Sequence, residues 1–292
     1  MDLNSLILNK VSIKQEEKFV AIIGLNPSKG ARSPKLWNRV YRNKNMKIKM
    51  YSLDVKLNKF NSLIKVLSDN ENFLGGAITN PYKEKIFKLL KSNVDKSSSS
   101  IGAINCIYRN NGQLYGTNTD GEGAIFSLKK LGNLYKKKYF IIGTGGTALT
   151  LVSFLGKYVK KKIDITVLGR NLSKLKKFKK KFKCNIFHLS QINNLNEKPN
   201  FLINCTDLGS ITKKNQTPIH SSFFHKLNKS TKVFDVIYNP KQTFFLKLAK
   251  KNKLKFTNGL SMNLHQAVSA FVITNKIKKN IYNEIADIMS KK

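Results

Sequence analysis

The chain is 292 residues long and 41% hydrophobic, enough to bury a core in one large domain or in two ordinary ones. Its net charge of +38 would suit a polyanion, but the excess is lysine spread through nearly every segment, with arginine only at Arg32, Arg39, Arg42, Arg109 and Arg170, which argues against nucleic-acid reading by guanidinium forks. Residues 1–18 hold no apolar leader core, no apolar run approaches the ~20 residues of a membrane span, and Cys106, Cys184 and Cys205 form no disulfide or metal-ligand pattern among themselves or with the histidines, so a cytoplasmic protein off the membrane and without a metal is expected.

Phe19–Leu25 is a continuous apolar run, the pattern of a strand buried on both faces. Ser33-Pro34 then reads as an N-cap followed by proline, opening a helix with Leu36, Trp37 and Val40 on its apolar side. Met50–Val55 and Phe73–Thr79 read as strands around a Phe60–Leu67 helix. Asn80-Pro81 repeats the cap-plus-proline signal and predicts a helix through Leu90, with Ile86, Phe87, Leu89 and Leu90 inside. Ser97–Ser100 reads as a solvated loop. The alternation of strand and helix predicts a mostly parallel sheet.

Asn110-Asn111-Gly112 separates the runs Ala103–Tyr108 and Gln113–Gly116, a hairpin signal. Asn105 lies inside the first run, where an amide needs partners, and it fits either a satisfied core residue or a site residue. Thr119-Asp120-Gly121-Glu122 has the Thr-x-x-Glu spacing of a capping box. It places Asp120 in a first turn, as an ordinary cap-region acid or as a site carboxylate.

A strand at Lys138–Ile142 runs into Gly143-Thr144-Gly145-Gly146-Thr147-Ala148 and an apolar helix at Leu149–Leu155. Strand, glycine turn and helix are the context of a dinucleotide fingerprint, in which the backbone approaches a pyrophosphate at a helix N-terminus. The next strand, Ile163–Leu168, ends in Gly169-Arg170-Asn171 with Lys174 beyond. Cations there, in place of the acid that would hold a ribose 2′-hydroxyl, favour the 2′-phosphate of NADP. An amphipathic helix follows, with Leu172, Leu175, Phe178 and Phe182 on one face and lysines around it. Phe201–Cys205 and Val233–Ile237 are two more strands, Thr243–Lys250 a helix, and Phe256 opens a short run to Asn258-Gly259. The helix Met262–Thr274 presents Leu264, Ala267, Val268 and Phe271, with Gln266 beside the stripe.

Taken together, the runs GGAITNPYK (Gly75–Lys83), IGAIN (Ile101–Asn105), NTDGEG (Asn118–Gly123), GTGGTA (Gly143–Ala148), NCTDLG (Asn204–Gly209), DVIYNPKQT (Asp235–Thr243) and NGLSMNLHQA (Asn258–Ala267), with Ser33-Pro34 and the Arg170 corner, resemble the shikimate dehydrogenase family over nearly the whole chain. The resemblance implies NADPH-dependent reduction of 3-dehydroshikimate to shikimate, in the route to aromatic amino acids. It implies two α/β domains around a cleft: a substrate domain over 1–118, a Rossmann-type NADP domain over 119–260, and C-terminal helices over 261–292 returning to the first. By position Lys83 matches the catalytic lysine and Asp120 its paired carboxylate. Ser33, Thr79, Asn105, Asp120, Tyr238 and Gln266 match substrate contacts. Gly143, Thr144, Gly145, Gly146, Thr147, Gly169, Arg170, Asn171, Lys174, Val236 and Gly259 match cofactor contacts, and the resemblance adds Asp95. The expected partner is the small-molecule substrate, and the expected assembly a monomer or homodimer.

The chemistry agrees with these roles. Hydride delivery to a ketone builds negative charge on its oxygen, so a donor must stabilise or protonate it. Two positions depart from the family pattern. The Ser-x-Ser pair that binds the substrate carboxylate is here Ala31-Arg32-Ser33, and Ala77 replaces an asparagine two residues before Thr79. Arg32 could supply part of the missing carboxylate binding. These changes keep a quinate or aminoshikimate-type substrate open, as well as a catalytically weakened nucleotide-binding relative.

Overall fold

The computed structural model describes residues 3–14, 16–90 and 92–291. In chain order the elements are β1 (Phe19–Gly24), α1 (Ser33–Asn43), β2 (Lys49–Asp54), α2 (Phe60–Asp69), β3 (Phe73–Ile78), α3 (Lys83–Leu90), α4 (Lys96–Ile101), β4 (Cys106–Asn110), β5 (Gln113–Thr117) and α5 (Asp120–Leu131). They continue with β6 (Tyr139–Ile142), α6 (Gly146–Leu155), β7 (Ile165–Gly169), α7 (Leu172–Phe182), β8 (Asn185–His188), β9 (Phe201–Asn204), α8 (Ser221–His225), β10 (Lys232–Asp235), α9 (Phe244–Lys251), β11 (Lys255–Thr257), α10 (Leu260–Thr274) and α11 (Tyr282–Ser290). Two compact units result. One holds the described residues up to Thr119 and from Leu264 onward, the other Asp120–Asn263.

The first unit is built on a sheet of order β2-β1-β3-β4-β5. β1 is parallel to β2 and β3, and β4 is antiparallel to β3 and β5. The hairpin turns at Asn111 (φ 45°) and Gly112 (φ 76°), the two positive-φ positions that match the twist of the flanking strands. Every residue of β1 is buried because helices cover both faces. Phe19, Ala21 and Ile23 pack with α2 through Phe60, Leu63, Ile64 and Leu67. Val20 and Ile22 pack with Trp37 and Val40 of α1, Phe271 of α10 and Ile285 of α11.

The second unit is an all-parallel sheet of order β11-β10-β9-β6-β7-β8. That is the doubly wound order, with the topological switch between β6 and β9. Tyr139, Ile141, Val167 and Ile203 face α5, α6 and α7 on one side. Phe140, Ile142, Leu202 and Val233 face α8 and α9 on the other.

Local expectations shift in physically simple ways. Ser33 is the first residue of α1 and not its cap; Arg32 occupies the cap position without a capping side chain. The helix expected from Asn80-Pro81 starts at Lys83, because Tyr82 N–H closes a turn on the Thr79 carbonyl at 3.0 Å ahead of the first helical turn. Within it Ile86 is buried but Leu89 is exposed. Ser97–Ser100 is not a loop: Asp95 caps it into the short helix α4. Leu172 sits outside the apolar face of α7, 58% exposed. β8, α8 and α11 carry patterns too short or too mixed to be read from the chain.

Candidate active site

In the first unit the polar candidates gather at the carboxyl ends of β1 and β3. Thr79 follows β3, with its N–H on the Ile23 carbonyl at 2.9 Å. A side chain at Gly24 would strike the Thr79 methyl at 2.3 Å, so the absence of one there makes room for Thr79. Lys83, half-buried, opens α3, and its carbonyl accepts the Ile104 N–H at 2.9 Å, tying the helix start to the segment that leads through Asn105 into β4. A cation in a first turn sits at the disfavoured end of the helix dipole.

Asn105 is 3% exposed and its partners are clear. Its carbonyl oxygen accepts the Thr119 N–H at 2.7 Å, and its amide donates to Thr119 Oγ1 at 3.0 Å and to Gln266 Oε1 at 3.1 Å. The Thr119 hydroxyl in turn donates to the Gln266 carbonyl at 3.0 Å. Asn118 donates to the Ala103 carbonyl at 3.0 Å. The buried amide therefore fixes both Gln266 on α10 and the chain that enters α5 at Asp120. Asn105 is a satisfied buried residue and a neighbour of predicted site residues at once.

Ser33 is buried at the start of α1. Ala31 and Ala77, the two departures, pack on the same apolar cluster as Ile22, Leu36 and Trp37. Arg32 lines a cavity of about 220 Å³ with Lys35, Leu36, Arg39 and residues 289–291. Asp95 lies in this unit too. Its carboxylate receives Ser97 Oγ at 2.5 Å, Ser98 N–H at 2.9 Å and Ser98 Oγ at 2.7 Å. Burial pushes its pKa up, but these bonds and one from Thr117 outweigh that and hold the carboxyl below the usual range. Four donors fill the lone pairs of a carboxylate, and through them Asp95 caps α4.

In the second unit the glycine turn lies at the switch point. Gly143 adopts φ 118°, and a Cβ there would press to 3.1 Å on the Cys205 backbone. Gly145 and Gly146 differ: a Cβ on either would meet nothing within 4 Å. No side chain caps α6, whose N-cap is Gly145 itself, so the first-turn N–H groups face a space the chain leaves open. Thr144 lies against Gly169, where a Cβ would meet its methyl at 2.6 Å. Thr147 is in the first turn of α6. Arg170 and Lys174 are exposed at the end of β7 and the start of α7, while Asn171 caps α7 through the Lys174 N–H at 2.9 Å. An uncapped helix start behind two glycines, with an arginine at the next strand end, fits a pyrophosphate and a 2′-phosphate.

The ends of β9 and β10 meet in a polar network of Asn204, Asp235 and Thr243, none of them among the expected site residues. Asp235 is fully buried. Its Oδ1 accepts Ile237 N–H at 3.1 Å and Asn204 Nδ2 at 3.1 Å, and its Oδ2 accepts the Thr243 hydroxyl at 2.5 Å. Burial raises its pKa to about 6, with the three hydrogen bonds pulling the other way. Burial, and then the Asp235 charge, push the Cys205 thiol up in turn. The available signal was an acid closing an apolar strand run, Val233-Phe234-Asp235. Val236 and Tyr238 follow it, and a Cβ at Gly259 would meet the Val236 carbonyl oxygen at 1.9 Å. Among the described residues no group of three or more His, Cys, Asp and Glu could hold a metal ion.

The family model for the shikimate dehydrogenase substrate binding domain matches residues 22–107, and that for shikimate / quinate 5-dehydrogenase matches residues 126–238. A shikimate dehydrogenase (NADP(+)) of Caldanaerobacter subterraneus subsp. tengcongensis is 32% identical over 270 residues, covering 90% of this chain and 93% of the relative. The crystal structure of shikimate dehydrogenase from Aquifex aeolicus superposes with a TM-score of 0.81 at 25% identity, over 96% of this chain and 100% of that one. A ligand-free 5-ketofructose reductase of a Gluconobacter strain superposes at 0.77, also 25% identical, over 92% and 97%.

Proposed function

The chain belongs to the shikimate dehydrogenase family, and we propose that it catalyses the NADP-dependent interconversion of 3-dehydroshikimate and shikimate. The observation that carries the reading is the 32% identity over 90% of the chain. NADPH, when bound, supplies the hydride for reduction of the ketone, and the open turn at Gly145 and Gly146 with Arg170 beyond it suits its phosphates. Thr144, Thr147, Gly169, Asn171, Lys174, Val236 and Gly259 complete the proposed cofactor wall.

Lys83 is assigned the donor that stabilises and then protonates the ketone oxygen, and Asp120 the carboxylate that orients the ammonium. Thr79, Asn105, Tyr238 and Gln266 would bind the substrate's hydroxyls, and Ser33 its carboxylate. The Asn105 amide supports this: buried and held on three sides, it keeps Gln266 oriented before substrate arrives. Removing Lys83 should cost rate more than binding.

A second substrate stays in view because of one observation. Ala31 and Ala77 replace polar groups with methyls on a single apolar cluster, so the carboxylate end of the pocket differs from the family pattern. A quinate or aminoshikimate-type substrate would tolerate that differently. Comparing kcat/KM for shikimate and quinate with NADP+ and NAD+ separates the two. No helix among the described residues is long and apolar enough to cross a membrane, and Cys106, Cys184 and Cys205 are thiols, which supports a cytoplasmic site for the reaction.

A further inference from the structure

The buried network at the ends of β9 and β10 joins segments far apart in sequence. Asn204 closes β9, Asp235 closes β10, and Thr243 caps α9 through the Leu246 N–H at 3.3 Å; all three side chains are buried. Asn204 extends the network by accepting Thr206 N–H at 2.9 Å and Thr206 Oγ1 at 2.7 Å. Asp235 is the hub, because only its two oxygens reach both the strand end and the helix cap. Among the described residues no ion pair reaches it. A buried carboxylate without a cation is expensive, and an amide or an apolar residue would close a strand more cheaply.

That cost falls on one segment. Residues 236–238 leave β10 between two restraints: Ile237 N–H is held by Asp235, and the Ile237 carbonyl accepts Gly259 N–H at 3.1 Å. The Val236 N–H is held by the Asn204 carbonyl at 3.1 Å. We propose that Asp235 is a positioning residue, which fixes the Val236–Tyr238 segment so that Val236 meets the cofactor and Tyr238 the substrate. The proposal rests on the shikimate dehydrogenase reading, since it assigns those two residues their ligands.

Asp235→Asn is the informative change. Its carbonyl oxygen can still accept from Ile237 and Asn204, while its amide must donate toward Thr243 and turn that hydroxyl away from it. The change keeps the size of the side chain and removes the carboxylate. Wild type, Asp235→Asn and Thr243→Val are compared by hydrogen exchange of peptides covering 236–243, by NADP+ titration calorimetry, and by KM and kcat for shikimate oxidation. The expected result is faster exchange at 236–238, with NADP+ affinity and the shikimate KM each worsened roughly 10-fold, the effect of one charge-assisted hydrogen bond. kcat should fall less than the affinities do. Thr243→Val, which removes one of the three donors, should move the same readouts less, and it decides the matter alone if Asp235→Asn does not fold. Wild-type exchange and wild-type KM values in a folded Asp235→Asn would overturn the proposal, and so would faster exchange with both affinities unchanged. A wild-type protein inactive on shikimate would refute the activity reading instead, leaving exchange and NADP+ binding to judge Asp235.

Discussion

Replacing Asn105 by alanine should expose how much the substrate wall depends on one buried amide. The change removes the acceptor of Thr119 N–H (2.7 Å) and the donor to Gln266 Oε1 (3.1 Å); Thr119 is buried and Gln266 half-buried. An orphaned buried polar group costs about 1–3 kcal/mol, so the Thr119 N–H left without its acceptor predicts a loss of that order. For a protein of this size about 2–4 °C of Tm accompanies each kcal/mol, giving a drop of roughly 2–12 °C. Urea denaturation followed by circular dichroism and intrinsic fluorescence reads the free energy directly. Because Thr119 leads into Asp120, the same variant should also lose kcat, and because Gln266 is released, the shikimate KM should rise. An Asn105→Ala protein within about 0.5 kcal/mol of wild type, the ordinary scatter of surface changes, would refute the claim that this amide holds Thr119 and Gln266 in place.

Gly145→Ala tests the open turn. Its added methyl meets no protein atom within 4 Å, so Tm should hold within a few degrees while NADP+ affinity falls by about 10-fold or more through a clash with the phosphates; unchanged affinity would move the cofactor elsewhere. Arg170→Ala should raise the KM for NADP+ by roughly 10- to 100-fold, as expected for a charged hydrogen bond lost, and leave the KM for NAD+ nearly unchanged. Equal effects on both cofactors would remove Arg170 from the 2′-phosphate. Asp235 predicts a pH dependence. Its folded pKa of about 6 exceeds the usual value near 3.9, so the folded state binds the extra proton. Its contribution to stability therefore falls as pH rises through that window, by about 3 kcal/mol in all. The difference in unfolding free energy between wild type and Asp235→Asn should shrink by that order between pH 4 and 7, and a constant difference would mean the carboxylate is not so buried.

The chain made some of this legible and concealed the rest for definite reasons. The strand–glycine–helix unit at 139–155 could be read because both of its faces are apolar and glycine marks the turn. The Asn111-Gly112 hairpin was similarly explicit. The start of α3 lies two residues beyond the signal of a cap-like Asn80 before a proline, and only the turn from Thr79 to Tyr82 shows where the helix begins. The four serines looked like loop because helix propensity is weak there, and it took Asp95 as a cap to fold them. Asn105 was ambiguous for a different reason: its partners Thr119 and Gln266 are 14 and 161 residues away, and spacing within a strand says nothing about them. The Asp235 network was hidden in the same way, since Asn204 and Thr243 meet it only in the fold.

The most direct test of the account is the rate of NADPH oxidation on adding 3-dehydroshikimate to wild type and to Lys83→Ala. The assignment of Lys83 as proton donor predicts a wild-type rate that depends on both substrates and a loss of about 10²- to 10⁴-fold in the variant, the range of general acid catalysis, with the KM for 3-dehydroshikimate changed far less. Equal rates in the two proteins, or a wild type that does not consume NADPH with this ketone, would contradict it.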